Sequence, residues 1–326
     1  MLLSRLSFLL IILAGFSSCK GSNNPEPDNP AGKQLRVLGY YHSGSNWTIN
    51  EIAPQLNKLT DLNLAFINPD ASGRFADYPT LAAFVKEVQQ RKVRVFFSFG
   101  GGSAPEHLAT LVQPANRTTF IENIKSFLVT YNFDGVDVDL ENELINADYG
   151  PFVKELASAV KGTNKLISAA VARWNADQIN DETLAHYDFL NIMSYDKTGP
   201  WNLDRPGQHS PYSMAESDFI YFRDTRQIPS QKLLIGLPFY GYGFGTNAPS
   251  SMTYGNIVNT YPGAELKDEL TIEGGGMLYY NGIPTIRQKT AFALKQKAGG
   301  VMIWQIRGDA SDSRSLLNTI HEEKTK

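Results

Sequence analysis

Short runs of β-branched and aromatic residues recur along the chain at Arg36–Tyr41, Asn63–Ile67, Val93–Phe99, Gly135–Leu140, Leu166–Ala172, Phe189–Met193, Leu233–Pro238 and Gly300–Gln305. Between several of them, apolar residues return at the spacing of one helix face, over Leu81–Gln90, Thr118–Tyr131, Tyr149–Val160, Thr285–Lys297 and Arg314–Glu323. Strands alternating with helices imply parallel strands joined by crossovers. Eight such runs over residues 35–326 predict an α/β chain folded as a (β/α)8 TIM barrel. A doubly wound sheet is the alternative. It needs a strand followed by GxGxxG, and Gly100–Gly102 lacks that spacing.

One interval breaks the alternation. Residues 241–283 contain Gly274-Gly275-Gly276 and the sequence Tyr280-Asn281-Gly282-Ile283. An Asn-Gly pair favours a tight hairpin, so a short β insertion after strand seven is expected here.

The amino terminus reads differently from everything after it. Arg5 precedes a predominantly apolar stretch, Leu6–Phe16, which fits a signal-peptide core and is too short to span a bilayer. Residues 1–18 are therefore read as a signal peptide. The only cysteine of the chain, Cys19, follows Ser17-Ser18, and this junction resembles a bacterial lipoprotein signal. The resemblance implies lipidation of Cys19, with residues 19–34, polar and rich in proline, as a tether. An ordinary signal peptide with an incidental thiol is the alternative. The expectation is an exported protein held on the bacterial cell envelope and touching membrane only through that anchor.

Composition removes other classes. Apolar residues make up 42% of the chain and charged residues 19%, enough for a substantial core. Net charge is −3, with no basic run longer than a dipeptide, which argues against a nucleic-acid partner. A single cysteine excludes an internal disulfide or a cysteine-based metal site. The five histidines show no HExxH spacing, so no metal or organic cofactor is expected. A monomer is expected.

The chemistry is concentrated in the fourth strand, Phe133-Asp134-Gly135-Val136-Asp137-Val138-Asp139-Leu140-Glu141. Side chains alternate along a strand, so Asp137, Asp139 and Glu141 share one face and Val136, Val138 and Leu140 the other. In a barrel the apolar set meets the helices and the carboxylates point inward. Grouping like charges there is costly unless protons are shared and hydrogen bonds supplied, so the row suggests a function. The spacing DGxDxDxE is expected by chance roughly 0.003 times in a chain of this composition. A calcium loop competes, but its ligands come from a turn rather than from alternate strand residues.

This motif resembles the signature of glycoside hydrolase family 18, the chitinase family, and other segments agree in order. Ser98-Phe99-Gly100-Gly101 resembles its third-strand SxGG, and Gly39-Tyr40-Tyr41 its first strand. Met193-Ser194-Tyr195-Asp196 resembles the sixth-strand MxYD, continued by Gly199-Pro200-Trp201. Gly236–Gly241 and Gly300–Trp304 resemble the seventh and eighth strands.

The resemblance implies roles residue by residue. Glu141 would be the general acid and then the base, with the neighbouring Asp139 helping to raise its pKa. Asp139 would orient the substrate's 2-acetamido group, with Tyr195 donating a hydrogen bond to it. Asp137, with Tyr40 and Ser98 beneath it, would hold a buried proton. Asp196 and Met193 would line the reacting-sugar subsite, Trp304 would lie under that sugar, and Trp201 would form a platform on the leaving-group side. Gly100 and Gly101 would leave room for the sugar. Trp47 and Trp174 are candidates for further subsites. Leu140 and Asn142 depart from the tryptophan and tyrosine that many chitinases carry. The implied substrate is a glycan containing N-acetylglucosamine. Retaining, substrate-assisted cleavage of β-1,4-linked N-acetylglucosamine is favoured. Action on the chitobiose core of N-glycans and a non-catalytic sugar-binding barrel stay open.

Overall fold

A computed structural model describes residues 35–44 and 47–326. The signal peptide, Cys19 and the tether assigned above lie outside the described residues.

Eight parallel strands close into a barrel: β1 (Arg36–His42), β2 (Asp61–Ala65), β3 (Arg94–Gly100), β4 (Gly135–Asp139), β5 (Leu166–Val171), β6 (Phe189–Ile192), β7 (Leu233–Pro238) and, last in the chain, β12 (Gly300–Trp304), which pairs with β1. The long crossover helices are α2 (Leu81–Gln90), α4 (Pro114–Thr130), α5 (Tyr149–Lys161), α9 (Ile283–Lys295) and α10 (Leu316–Lys324). The sequence starts α4 at Thr118. It begins earlier because Pro114 occupies the first turn, where its missing N–H is no loss.

The crossovers also contain α1 (Ile49–Leu56), α3 (Leu108–Leu111), α6 (Asp181–Ala185) and α7 (Tyr212–Ile220). Of these, α3 and α6 are too short to impose a helical period on the sequence, and α1 carries Pro54 inside it.

Between β7 and α9 the chain builds a four-stranded antiparallel sheet in the order β10-β11-β8-β9, from β8 (Tyr240–Phe244), β9 (Ser251–Thr253), β10 (Glu269–Ile272) and β11 (Gly276–Tyr279). A helix, α8 (Tyr254–Thr260), lies within it. The hairpin expected at Asn281-Gly282 is not there. The β10–β11 turn runs through Gly274 and Gly275, whose φ angles of +95° and +107° favour glycine. Gly282 instead precedes α9, where a Cβ would stand 2.2 Å from the Lys267 carbonyl oxygen.

Two cores result. Val136, Val138 and Leu140 join the large apolar layer between barrel and helices, with residues such as Phe120, Phe152, Ile167 and Leu190. Inside the barrel, Leu38, Tyr40, Phe96, Phe189, Met193, Leu234 and Met302 fill the lumen. At the amino-terminal ends of the strands, buried Asp61 pairs with Arg94 at 2.8 Å and Arg36 at 3.5 Å. The Arg36 guanidinium lies 4.1 Å over the Phe189 ring. Among the described residues, no helix is long and apolar enough to cross a membrane.

Candidate active site

Strand β4 carries three carboxylates upward from the lumen, each in a different environment. Asp137 is the deepest and is fully buried. Register places Ser98 on β3 and Ser168 on β5 directly beside it. Both hydroxyls donate to its carboxylate, Ser98 to Oδ2 at 2.8 Å and Ser168 to Oδ1 at 2.6 Å. From β1 the Tyr40 hydroxyl donates to Oδ2 at 2.6 Å, and from β6 the Asn191 amide donates to Oδ1 at 3.0 Å. Burial pushes the Asp137 pKa up, and these four neutral donors pull it back.

Asp139 has no such cage. It is buried, and its Oδ1 has no hydrogen-bond partner among the described residues. Burial pushes its pKa well above the carboxylate range, with the charges of Glu141 and Asp137 adding to the effect. The ladder of β4 ends at Asp139, but the backbone stays extended at Glu141 (φ −120°, ψ 164°), so the alternation continues and Glu141 stands at the mouth. Burial, and then the charge of Asp196, raise the Glu141 pKa to about 7. Burial is the larger cause, and the charge of Asp196 adds to it from across the mouth. The repulsion between Glu141 and Asp139 expected from the sequence is present in the raised pKa of Asp139.

Tyr195 and Asp196 follow β6. The Tyr195 hydroxyl is buried and donates to the Met302 sulfur, a weak acceptor, at 3.8 Å. Burial pushes its pKa well up, which keeps the proton on. Asp196 adopts φ +60° and accepts a hydrogen bond of 2.5 Å from the Tyr240 hydroxyl. Buried His209 brings its Nδ1 to 3.4 Å from the same carboxylate oxygen.

The aromatic residues divide. Trp304 is half-buried, stacked on Phe66 with centroids 5.5 Å apart and edge-on to Tyr40, also at 5.5 Å. Trp201 is 61% exposed and meets Tyr242 edge-on at 5.3 Å. Trp174 is 48% exposed after β5. Trp47 is no surface aromatic: it is buried in the outer core against Tyr78, centroids 5.3 Å apart. Met193 is buried in the lumen beside Tyr195 and Met302.

The glycines of β3 also need a different explanation from the room for sugar expected above. A Cβ on Gly100 (φ +106°) would fall 2.0 Å from the Asp139 carbonyl oxygen, and one on Gly101 (φ +88°) 2.5 Å from the Phe66 ring. Protein, not substrate, fills those spaces. Gly102 is the one facing the acid, its notional Cβ 3.6 Å from Glu141 Oε1.

Sequence reasoning overlooked Ser168, Asn191, Tyr240, His209 and Phe66. A signal existed for two of them: Ser168 and Asn191 are lone polar residues inside apolar strand runs, at positions that face inward.

A cavity of about 190 Å³ opens beside Trp304, lined by Tyr240, Tyr242, Ser251 and Gln305, so the insertion borders the mouth. A larger cleft of about 320 Å³ lies against α4, lined by Phe75, Asp77, Asn123 and Tyr131, on the outside of the barrel. The carboxylates converge at the mouth, where active sites of this architecture lie.

The family profile described as "Glycosyl hydrolases family 18" matches residues 36–309. The chitinase ChiB from the chitin utilization locus of Flavobacterium johnsoniae is 35% identical and superposes with a TM-score of 0.81 over 90% of this chain and 95% of that one. A chitinase from Bacteroides thetaiotaomicron is 28% identical, with a TM-score of 0.77 over 89% and 96% of the two chains. "Probable chitinase 10" of Drosophila melanogaster is 26% identical over 295 residues, 71% of this chain and 13% of its own length. The chain spans only a small part of that relative. Its barrel, its row of carboxylates and the profile match over most of its length together show that it belongs to glycosyl hydrolase family 18.

Proposed function

We propose that this chain is a glycosidase that cleaves β-1,4-linked N-acetylglucosamine polymers with retention, using the substrate's own acetamido group as nucleophile. The observation that carries the reading is the contrast within one strand. Asp137 has four hydrogen-bond donors, whereas the buried Oδ1 of Asp139 has none among the described residues. A buried unpaired carboxylate oxygen is costly, and an acetamido N–H is a donor that would satisfy it.

In this reading Glu141, its pKa raised to about 7, keeps a substantial protonated fraction at neutral pH and delivers the proton to the glycosidic oxygen. The acetamido carbonyl oxygen attacks the anomeric carbon as the leaving sugar departs. Asp139 accepts from the acetamido N–H, while Tyr195 donates to the carbonyl oxygen and holds it in line. Glu141, now ionised, takes a proton from water, which opens the cyclic intermediate and returns the β anomer. Two carboxylates facing a glycosidic bond usually act as an inverting pair or as nucleophile and acid. Here both rise from one strand, which poorly suits attack from opposite faces of the sugar. Trp304, braced by Phe66 and Tyr40, lies under the reacting sugar, and exposed Trp201 offers a platform to the leaving side.

The test is product analysis on a defined N-acetylglucosamine hexamer, with proton NMR during early turnover and a high-mannose glycoprotein in parallel. Hydrolysis of the hexamer with β anomer formed first supports the reading. Initial α anomer sinks the mechanism, cleavage of the glycoprotein alone moves the substrate to N-glycans, and cleavage of neither returns the barrel to sugar binding. The proposal extends to location: Cys19, lipidated after loss of residues 1–18, anchors the enzyme to the cell envelope. Partition of the wild type with membranes, abolished in Cys19→Ala, would support this, and recovery of the wild type wholly in the aqueous fraction would refute it.

A further inference from the structure

Lys289 is a buried cation with no part in the chemistry above. It sits within α9 at 0% exposure. Its ammonium spends all three N–H groups on neutral acceptors: the Ser210 carbonyl oxygen at 2.8 Å, Ser210 Oγ at 2.7 Å and Asn281 Oδ1 at 2.7 Å. Asp268, the nearest carboxylate in its influence, is already occupied by the Thr285 hydroxyl at 2.5 Å and the Gly282 amide at 2.8 Å. Burial draws the Lys289 pKa down to about 7, with Asp268 and Asp218 offsetting part of that. A hydrocarbon side chain would fill this place at lower cost, so the position calls for something only a donor can supply.

Ser210 passes the hold onward. Its hydroxyl donates to the Ser194 carbonyl oxygen at 2.6 Å, immediately before Tyr195 and Asp196. One residue further on, the Lys197 amide donates to the His209 carbonyl oxygen at 3.0 Å. The Asn281 amide fixes the Ser210 carbonyl from the other side at 2.9 Å. The segment bearing Tyr195 and Asp196 is thus pinned at both ends to residues 209–210, which are pinned in turn to α9. Asp196 needs such support, because its left-handed backbone is uphill for a residue with a side chain.

We propose that Lys289 is a positioning residue: acting through Ser210, it holds the turn that presents Tyr195 and Asp196 to the reacting sugar. What those two side chains do rests on the substrate reading above; the clamp itself does not.

The experiment uses the full chain as wild type, Lys289→Met, Ser210→Ala and the double variant. Deuterium exchange of backbone amides in peptides covering 193–197 should accelerate by about tenfold or more in either single variant, while those of β4 keep the wild-type rate. On the N-acetylglucosamine hexamer, kcat should fall about tenfold with KM changed less than about twofold, as expected for misplaced catalytic groups. The double variant should lose no more than the worse single one, because both act along one path. Ser210→Ala leaves the cation two acceptors and keeps the test open should Lys289→Met not fold. Unchanged exchange at 193–197 in Ser210→Ala overturns the proposal, as does faster exchange with unaltered kcat. If the wild type cleaves no such oligomer, the substrate reading fails on its own and the exchange rates still decide the clamp.

Discussion

The two ends of the barrel bury the same functional group by opposite means. At the amino-terminal end, Asp61 is held by two arginines, Arg36 and Arg94. Towards the mouth, Asp137, Asp139, Glu141 and Asp196 gather with no lysine or arginine paired to any of them among the described residues; neutral hydroxyls and an amide donate to Asp137 and Asp196 instead. An ion pair fixes a carboxylate in its charged form. Where no cation is paired to it, a carboxylate's protonation state stays adjustable. The difference separates a closure that stabilises from a site that is kept under electrostatic tension.

The sharpest way to break the contrast is Glu141→Gln, which removes the transferable proton while keeping shape. Turnover of N-acetylglucosamine oligomers should fall by at least about 100-fold, the scale of general acid catalysis, with sugar binding retained by calorimetry. At the other end, Asp61→Ala should do the reverse. It strands Arg36 and Arg94 and should lower stability by about 2 kcal/mol, seen as a drop in Tm, with kcat at 25 °C within about twofold of wild type. Loss of activity there without loss of stability would show that the two ends are not separate.

Stability against pH sharpens the comparison. The folded pKa of Glu141, about 7, lies above its ordinary 4.5. The native state therefore binds this proton more tightly than the unfolded chain, and the contribution is fully present below about pH 4.5 and lost as pH rises through 7. Glu141→Gln should gain on the wild type across that window by on the order of 2 kcal/mol, allowing for its partial contact with water. Denaturant melts at pH 4.5 and 8 read the difference. The smallest effect is kinetic: kcat/KM should decline on the alkaline side with an apparent pKa near 7, and removing the Asp196 charge with Asp196→Asn should move that limb to lower pH.

The strands and the row on β4 were legible because period-two alternation is a local property. Val136, Val138 and Leu140 face the helices as the spacing required. What escaped was fixed by register or by distant packing. Ser168 meets Asp137 only because β5 pairs with β4 in one alignment, and His209 reaches Asp196 through a loop without periodicity. Trp47 misled because an aromatic after the first strand looks the same in sequence whether it faces solvent or folds back onto Tyr78. The Asn281-Gly282 pair misled because a glycine demanded by close backbone approach to Lys267 carries the same signature as one demanded by a turn.

The insertion is stitched to the barrel with no slack. Only Phe239 separates β7 from β8, its amide bound to the Trp304 carbonyl oxygen and its own carbonyl oxygen to the Tyr254 amide. The first residue of β8, Tyr240, reaches Asp196, and Asn281 at the far junction grips Ser210. For anyone wishing to exchange this sheet between barrels as a cassette, both cut points therefore fall on residues that shape the mouth. A graft made at the element boundaries would rewrite the floor of the site along with its wall, so the insertion is better treated as inseparable from the enzyme it borders.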